Sequence, residues 1–195
     1  FEIREDLATL LLAGIPVKKV YSSLDPDHPV RQYTPRNDLC HATQTWNWDG
    51  VQFEVLHPLK QDYLELKRSN NRNNCVLKIT TAHGSVLLPA DIESKDEQAI
   101  LARNFENLTA TALIAPHHGS LTSSTDAFVK TVNPAVTIFT VGYLNRYGHP
   151  NNAITQRYHR LGSKLMRSDQ DGAIMLRFAD QQLVVDSWRR SNRRY

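Results

Sequence analysis

Long apolar runs are missing from this chain of 195 residues. None approaches the ~18 to 20 residues that a membrane span requires, and no stretch reads as a signal peptide. A strong charge of one sign is missing too. Lys and Arg number 23 against 20 Asp and Glu, a net charge of +3, which neither demands nor excludes a polyanionic partner. No Walker loop, G-x-S-x-G elbow, internal repeat or low-complexity tract is present, which removes P-loop nucleotide hydrolysis, elbow-type serine catalysis and solenoid architectures. Cysteine is scarce: Cys40 and Cys75 allow one disulfide at most. Cys75 opens an apolar run, where a free thiol behaves as a small buried hydrophobe. A Cys40–Cys75 bridge would instead fit an oxidising compartment such as the periplasm. Spacing alone leaves both readings open.

What is there is ordinary globular composition, 41% hydrophobic and 22% charged, in a chain long enough to bury one sizeable core. Short β-branched apolar runs bounded by turn residues predict buried strands, and three of them lead to titratable groups. Val86–Leu88 leads to Asp91, Ala110–Ala115 to His117 and His118, and Val136–Val141 to His149. If those strand ends share one sheet edge, carboxylate and imidazole meet there. That donor chemistry suits a borderline divalent metal such as zinc or manganese. The bland alternative for each residue alone is a helix cap or a turn.

The remaining chain reads as interleaved strands and helices. A helix end at Leu7–Ala13 is stopped by Gly14, and a strand at Ile15–Tyr21 enters the sheet. A polar loop then runs to about Thr45, with His28 and His41 as surface histidines. The Asp49-Gly50 pair predicts a hairpin before the alternating Val51–Val55 strand, with Trp46 and Trp48 packed in a core. A polar linker spans Lys60 to Asn74. A second hairpin joins Cys75–Thr80 to Ser85–Leu88, with His83 at its solvent-facing tip. Ser94 and Glu97 predict a capping box for a helix to about Asn104. Further helices are expected over about Thr125–Thr131 and Asn152–Leu161, where His159 has no nearby partner. Strands follow at Pro134–Thr140, Ser163–Met166, Gly172–Phe178 and Gln182–Ser187. Four arginines among the last eight residues, beside Trp188 and Tyr195, read either as a phosphate grip or as a frayed terminus.

The motif order Leu88-Pro-Ala-Asp-Ile-Glu93, Pro116-His-His-Gly-Ser120 with Thr122-Ser-Ser124, Asn145-Arg-Tyr-Gly-His-Pro150 and Arg167-Ser-Asp-Gln-Asp-Gly-Ala-Ile174 resembles one particular family. It is similar to the C-terminal part of the metallo-β-lactamase-like domain of ComEC proteins, the inner-membrane DNA-internalisation proteins of natural transformation. Upstream, Trp46-Asn-Trp-Asp-Gly-Val51, Leu56-His-Pro58 and Asn73-Asn-Cys-Val-Leu77 resemble the strands that precede it, so the likeness runs from about residue 8 to residue 187. The family's His-x-Asp-x-Asp-His signature is absent. The resemblance therefore implies a C-terminal portion of the domain, over 1–187, followed by a basic tail over 188–195.

The resemblance implies an α/β fold, the αββα sandwich, and a zinc or manganese site formed by Asp91, His117 or His118, and His149. The set is incomplete in this chain, so metal affinity and activity of the isolated piece should be weak. Asp91, His118 and His149 would be catalytic. Ser120 and Asn145 would position substrate, Asn74 would orient a phosphate or a water, and Arg167 with Asp169 would support the rim. The implied partners are single-stranded DNA and the rest of a membrane protein, with this domain on the periplasmic side. The implied reaction is metal-dependent phosphodiester hydrolysis. A non-catalytic DNA-guiding module and a hydrolase of small esters or lactones are the alternatives.

Overall fold

The computed structural model describes residues 14–25, 27–33, 36–64, 73–179 and 182–192. Two short parallel strands, β1 (Val20–Ser22) and β2 (Asn37–Leu39), form a separate pair. The main sheet has seven strands in sequence order: β3 (Thr45–Trp48), β4 (Val51–His57), β5 (Val76–Thr81), β6 (Gly84–Leu88), β7 (Ala112–Ile114), β8 (Val136–Phe139) and β9 (Lys164–Arg167). Pairing is antiparallel from β3 to β6 and parallel from β6 to β9. The parallel half needs crossovers. Helix α1 (Ser94–Asn104) links β6 to β7, α2 (Asp126–Val132) links β7 to β8, and α3 (Asn152–Arg160) links β8 to β9. After a short α4 (Ser168–Asp171), the antiparallel hairpin β10 (Ile174–Ala179) and β11 (Gln182–Ser187) follows, and one turn of helix, α5 (Trp188–Ser191), comes last.

All four residues of β8 are buried, as a strand covered on both faces must be. One face of the sheet packs on the helices: Ile100, Phe128, Val129, Val132, Ile154 and Tyr158 meet Leu56, Val76, Leu87, Leu113 and Phe139. The other face receives the hairpin, where Ile174, Leu176, Leu183 and Val185 pack on Val136, Ile138 and Met166. Helix, sheet and sheet thus form three layers. The α/β class and the stacked sheets of the expected sandwich are both present. Among the described residues no helix is long and apolar enough to cross a membrane.

Several expectations need revision. The strand expected at Ile15–Tyr21 shortens to Val20–Ser22 and pairs with β2 outside the main sheet, while the helix expected at Leu7–Ala13 lies outside the described residues. The polar loop before Thr45 contains β2 and a 3₁₀ turn at Pro29–Tyr33. His28 and His41 are half-buried, each with Nδ1 in contact with backbone. Trp46 is stacked between Tyr21 and Phe53 at 5.3 and 5.0 Å, but Trp48 is 68% exposed. It stands on the sheet's edge strand beside the Asp49-Gly50 turn of the β3–β4 hairpin.

The capping box of α1 is also displaced by one residue. The N-cap is Glu93, and Asp96 accepts its backbone N–H at 3.1 Å. Glu97 is instead fully buried and accepts the N–H groups of Ser124 and Thr125 at 2.5 and 2.8 Å. It pins the loop before α2 to α1, and burial pushes its carboxyl above the usual carboxylate range.

Cys40 and Cys75 are joined, with their Cα atoms 6.0 Å apart. The bridge closes 35 residues of chain and fastens the segment after β2 to the start of β5.

Candidate active site

Because β6, β7, β8 and β9 run parallel, their carboxyl ends open onto one edge, the customary ligand edge of such sheets. Asp91 follows β6, His117 and His118 follow β7, His149 lies in the loop after β8, and Asp169 follows β9. The antiparallel register brings the start of β5 and the end of β4 to this edge as well, so Asn74 and His57 stand on the same side.

The Pro116–Gly119 turn sets the imidazoles. His117 and His118 both occupy the left-handed region, at φ 46° and 55°, where non-glycine residues cost energy. Two such residues in succession turn the chain back on itself, and the turn is held by His117 N–H donating to Ala90 O at 3.0 Å and Ser120 N–H to His117 O at 2.9 Å. Gly119 is required at the third position. Its φ is +82°, and a Cβ there would lie 2.7 Å from Pro150 and 2.8 Å from Phe139.

His118 and Asp91 face each other, with Nε2 3.4 Å from Oδ1. The other ring nitrogen, Nδ1, is 3.0 Å from Thr140 Oγ1. A proton on Nδ1 shared with this hydroxyl leaves the Nε2 lone pair directed toward Asp91, the orientation in which an imidazole ligates a cation. His117 turns elsewhere: its Nδ1 is 3.2 Å from Thr122 Oγ1 and 3.6 Å from Glu93. Its ring lies 6.0 Å from that of His149 and 6.4 Å from that of His118.

His149 is held by Asn145, whose Nδ2 donates to His149 O at 2.7 Å and whose Oδ1 accepts His149 N–H at 2.9 Å. The Asn145 amide thus braces its own loop. Ser120 is buried, with its hydroxyl 3.1 Å from that of Thr122. Arg167 grips Asp169 with two hydrogen bonds, at 3.0 and 2.7 Å, which hold the Asp169 carboxyl below the usual carboxylate range. Arg189 donates to the Asp169 carbonyl, and Arg190 lies 3.4 Å from Asp171. This part of the basic tail is fastened to the turn after β9; Arg193 and Arg194 lie outside the described residues.

Thr140, Thr122, Glu93 and the buried His57–Asp96 pair, 3.9 Å apart, are further groups of this edge to which the sequence reading gave no site role. Thr140 had a signal, since it ends the same strand run that leads to His149. Glu93 and Asp96 are brought in by α1 and its cap, His57 by the antiparallel register, and Thr122 by the loop that follows the histidine turn, none of which a local pattern reveals.

Desolvation and the neighbouring His117 and His118 hold the His149 imidazole below its ordinary value of 6.5, against an opposing pull from Asp91. A depressed folded pKa contributes stability that is present above the unfolded value and lost as pH falls through the folded one. A pH titration of the His149 ring resonance by NMR should therefore give a midpoint below 6.5. A midpoint at or above that value would show that Asp91 dominates its surroundings.

The chain is 35% identical over 133 residues to competence protein ComA of Neisseria gonorrhoeae, a match covering 68% of this chain and 19% of that protein. It is 33% identical over 131 residues to ComE operon protein 3 of Bacillus subtilis, covering 67% of this chain and 16% of that one. The chain belongs to the ComEC family of competence proteins. Recombination protein 2 of Haemophilus influenzae is 29% identical over 175 residues, covering 89% of this chain and 21% of that protein. The chain spans about a fifth of the length of the curated relatives it matches. No family model matches it. A solved structure from Thermotoga maritima, assigned to the metallo-β-lactamase superfamily, is 10% identical with a TM-score of 0.39, covering 77% of this chain and 81% of that one. That likeness is too distant to bear on the site.

Whether these residues fit a divalent ion has a divided answer. Carboxylate and imidazole are the right donors, and Asp91 and His118 stand face to face. Yet among the described residues no group of three or more His, Cys, Asp or Glu is disposed to hold a metal. The ComEC family chain offers a donor pair with His149 and His117 nearby.

Proposed function

We propose that this segment is the hydrolytic part of a DNA-uptake protein, acting on the phosphodiester backbone of incoming single-stranded DNA with a bound zinc or manganese ion. The observation that carries the reading is the approach of Asp91 and His118 to 3.4 Å at the carboxyl edge of four parallel strands. The names of the relatives, two of which speak of competence and recombination, supply the DNA.

Asp91 and His118 would hold the ion, with His149 and His117 at hand. When bound, such an ion neutralises charge on the phosphoryl group and lowers the pKa of water to about 7. His118 is kept in register by Thr140. His149, braced by Asn145 and held below its ordinary pKa, is neutral near pH 7 and can accept a proton there. Hydrolysis adds water across the P–O bond, leaving a phosphate monoester and a hydroxyl. The disulfide fits the oxidising periplasmic side of an inner membrane, and we place the segment there.

A longer chain carrying this segment should cleave single-stranded DNA only with manganese or zinc supplied. Cleavage that survives a chelator would sink the reading. With two facing donors, the isolated chain should bind manganese weakly, and tight stoichiometric binding by calorimetry would contradict that account. The lack of a three-donor cluster among the described residues favours one second reading, a DNA-guiding module without catalysis. Binding of DNA without cleavage under all metal conditions would select it.

A further inference from the structure

The loop between β8 and α3 carries more exposed apolar surface than any bland role explains. Tyr143 is 79% exposed, Leu144 83% and Tyr147 66%. A mobile loop would make this unremarkable, but the loop is braced. Asn145 clamps both backbone groups of His149, and Gly148 N–H donates to Asn145 O at 3.3 Å. Leu144 sits at φ 49°, a conformation that costs a leucine energy. Rigid aromatic surface left in water marks a place where something else packs.

The Tyr147 ring has a defined setting. His149 lies against it at 5.9 Å between ring centroids, with 19° between planes. The Arg146 guanidinium lies 5.0 Å from the ring centroid and donates to the Tyr147 hydroxyl at 2.8 Å. From Val141 to Asn152 the chain contains no acidic residue. An aromatic face, a solvent-exposed cation beside it and no carboxylate in the loop are what an unpaired nucleobase and its phosphate require.

We propose that Tyr147 is a stacking platform for an unpaired base of single-stranded DNA, with Arg146 meeting the adjoining phosphate. The proposal rests on the reading that this edge receives DNA and adds how the strand is gripped. The base takes the place of the Arg146 guanidinium over the ring, and the freed guanidinium turns to the backbone. Because Tyr147 also lies against His149, the stacked nucleotide sets the neighbouring phosphodiester beside the Asp91–His118 pair. A duplex, whose bases are already stacked, gains nothing from the ring.

The test is fluorescence anisotropy of a labelled oligothymidylate with the full chain, in EDTA so that metal-dependent cleavage does not intrude. Tyr147→Ala is expected to weaken binding about tenfold, the loss of one stacked base, and Tyr147→Phe to retain most of the affinity. Arg146→Ala should reduce the slope of affinity against salt by about one phosphate contact. A duplex should be insensitive to Tyr147→Ala. Single-strand binding that Tyr147→Ala leaves unchanged, or an equal loss for the duplex, overturns the stacking proposal while leaving the DNA reading in place. No measurable binding of the oligonucleotide by the unaltered chain overturns both. Tyr147 is exposed, so an unchanged melting temperature confirms that the variant is folded.

Discussion

Asp91→Ala is expected to abolish metal-dependent cleavage of single-stranded DNA by a longer chain carrying this segment, lowering the rate at least about a thousandfold while leaving the fold intact. Asp91 is the carboxylate that faces His118, at 3.4 Å. Removing it takes away the charged half of the proposed donor pair, and with it the electrostatic attraction that would hold a cation there. The residue is half-buried, and the helix that follows is capped by Glu93 and Asp96, so its loss leaves α1 without a structural defect. Thermal melting should move little. Cleavage that persists in Asp91→Ala at close to the unaltered rate would remove this carboxylate from the mechanism and leave the edge as scaffold. His117→Ala makes a useful contrast. Its ring points at Thr122 and Glu93, and a smaller loss there would identify His118 as the working member of the pair.

Replacing both Cys40 and Cys75 by serine, or reducing the native bridge, should lower stability by about 3–4 kcal/mol. The bridge closes a loop of 35 residues, and in the chain-entropy account its loss restores that much freedom to the unfolded state. For a chain of this size the melting temperature should fall by roughly 10 °C, measured by circular dichroism with and without reductant. Cys40 is fully buried, and Tyr63 donates its hydroxyl to the Cys40 carbonyl at 2.8 Å, so the surroundings have little room to relax. Burial raises the Tyr63 pKa to about 12, which keeps that donor protonated across the physiological range. An unchanged melting temperature on reduction would show that the two cysteines do not pair in solution. The bridge also matters to the site: it fastens the start of β5, and Asn74 precedes it at the edge that carries Asp91.

The two effects are separable. Losing the bridge changes stability and touches Asp91 only through β5; losing Asp91 changes chemistry and leaves the bridge alone. Mutational effects at distant sites that share no partners are expected to add, so the triple variant should show both losses unaltered.

Much of this molecule was legible in local pattern. Asp49-Gly50 marked its hairpin, the alternation of Val51–Val55 marked a half-buried strand, and Gln182–Ser187 was bounded correctly, because turn chemistry and side-chain period act over neighbouring residues. The same locality showed that Asp91, the His117–His118 pair and His149 each follow a strand. Their meeting at one edge depended on β6, β7 and β8 running parallel, which the intervening helices made a fair expectation. Other features were decided only by tertiary structure. Which histidine faces Asp91 follows from two left-handed residues in succession, a conformation that is paid for by packing around Gly119 and that no propensity announces. Asn145 turns inward on its own loop, Glu97 leaves its helix cap to hold the start of α2, and Trp48 stays in water beside its hairpin turn while Trp46 on the same strand is stacked. Cysteine pairing needed a distance between segments 35 residues apart. Sequence by itself determined the strands β4 to β9 of the main sheet and the residue types at their ends, since those answer to neighbours along the chain. The partners of each side chain answer to neighbours in space, and only the folded sheet supplies them.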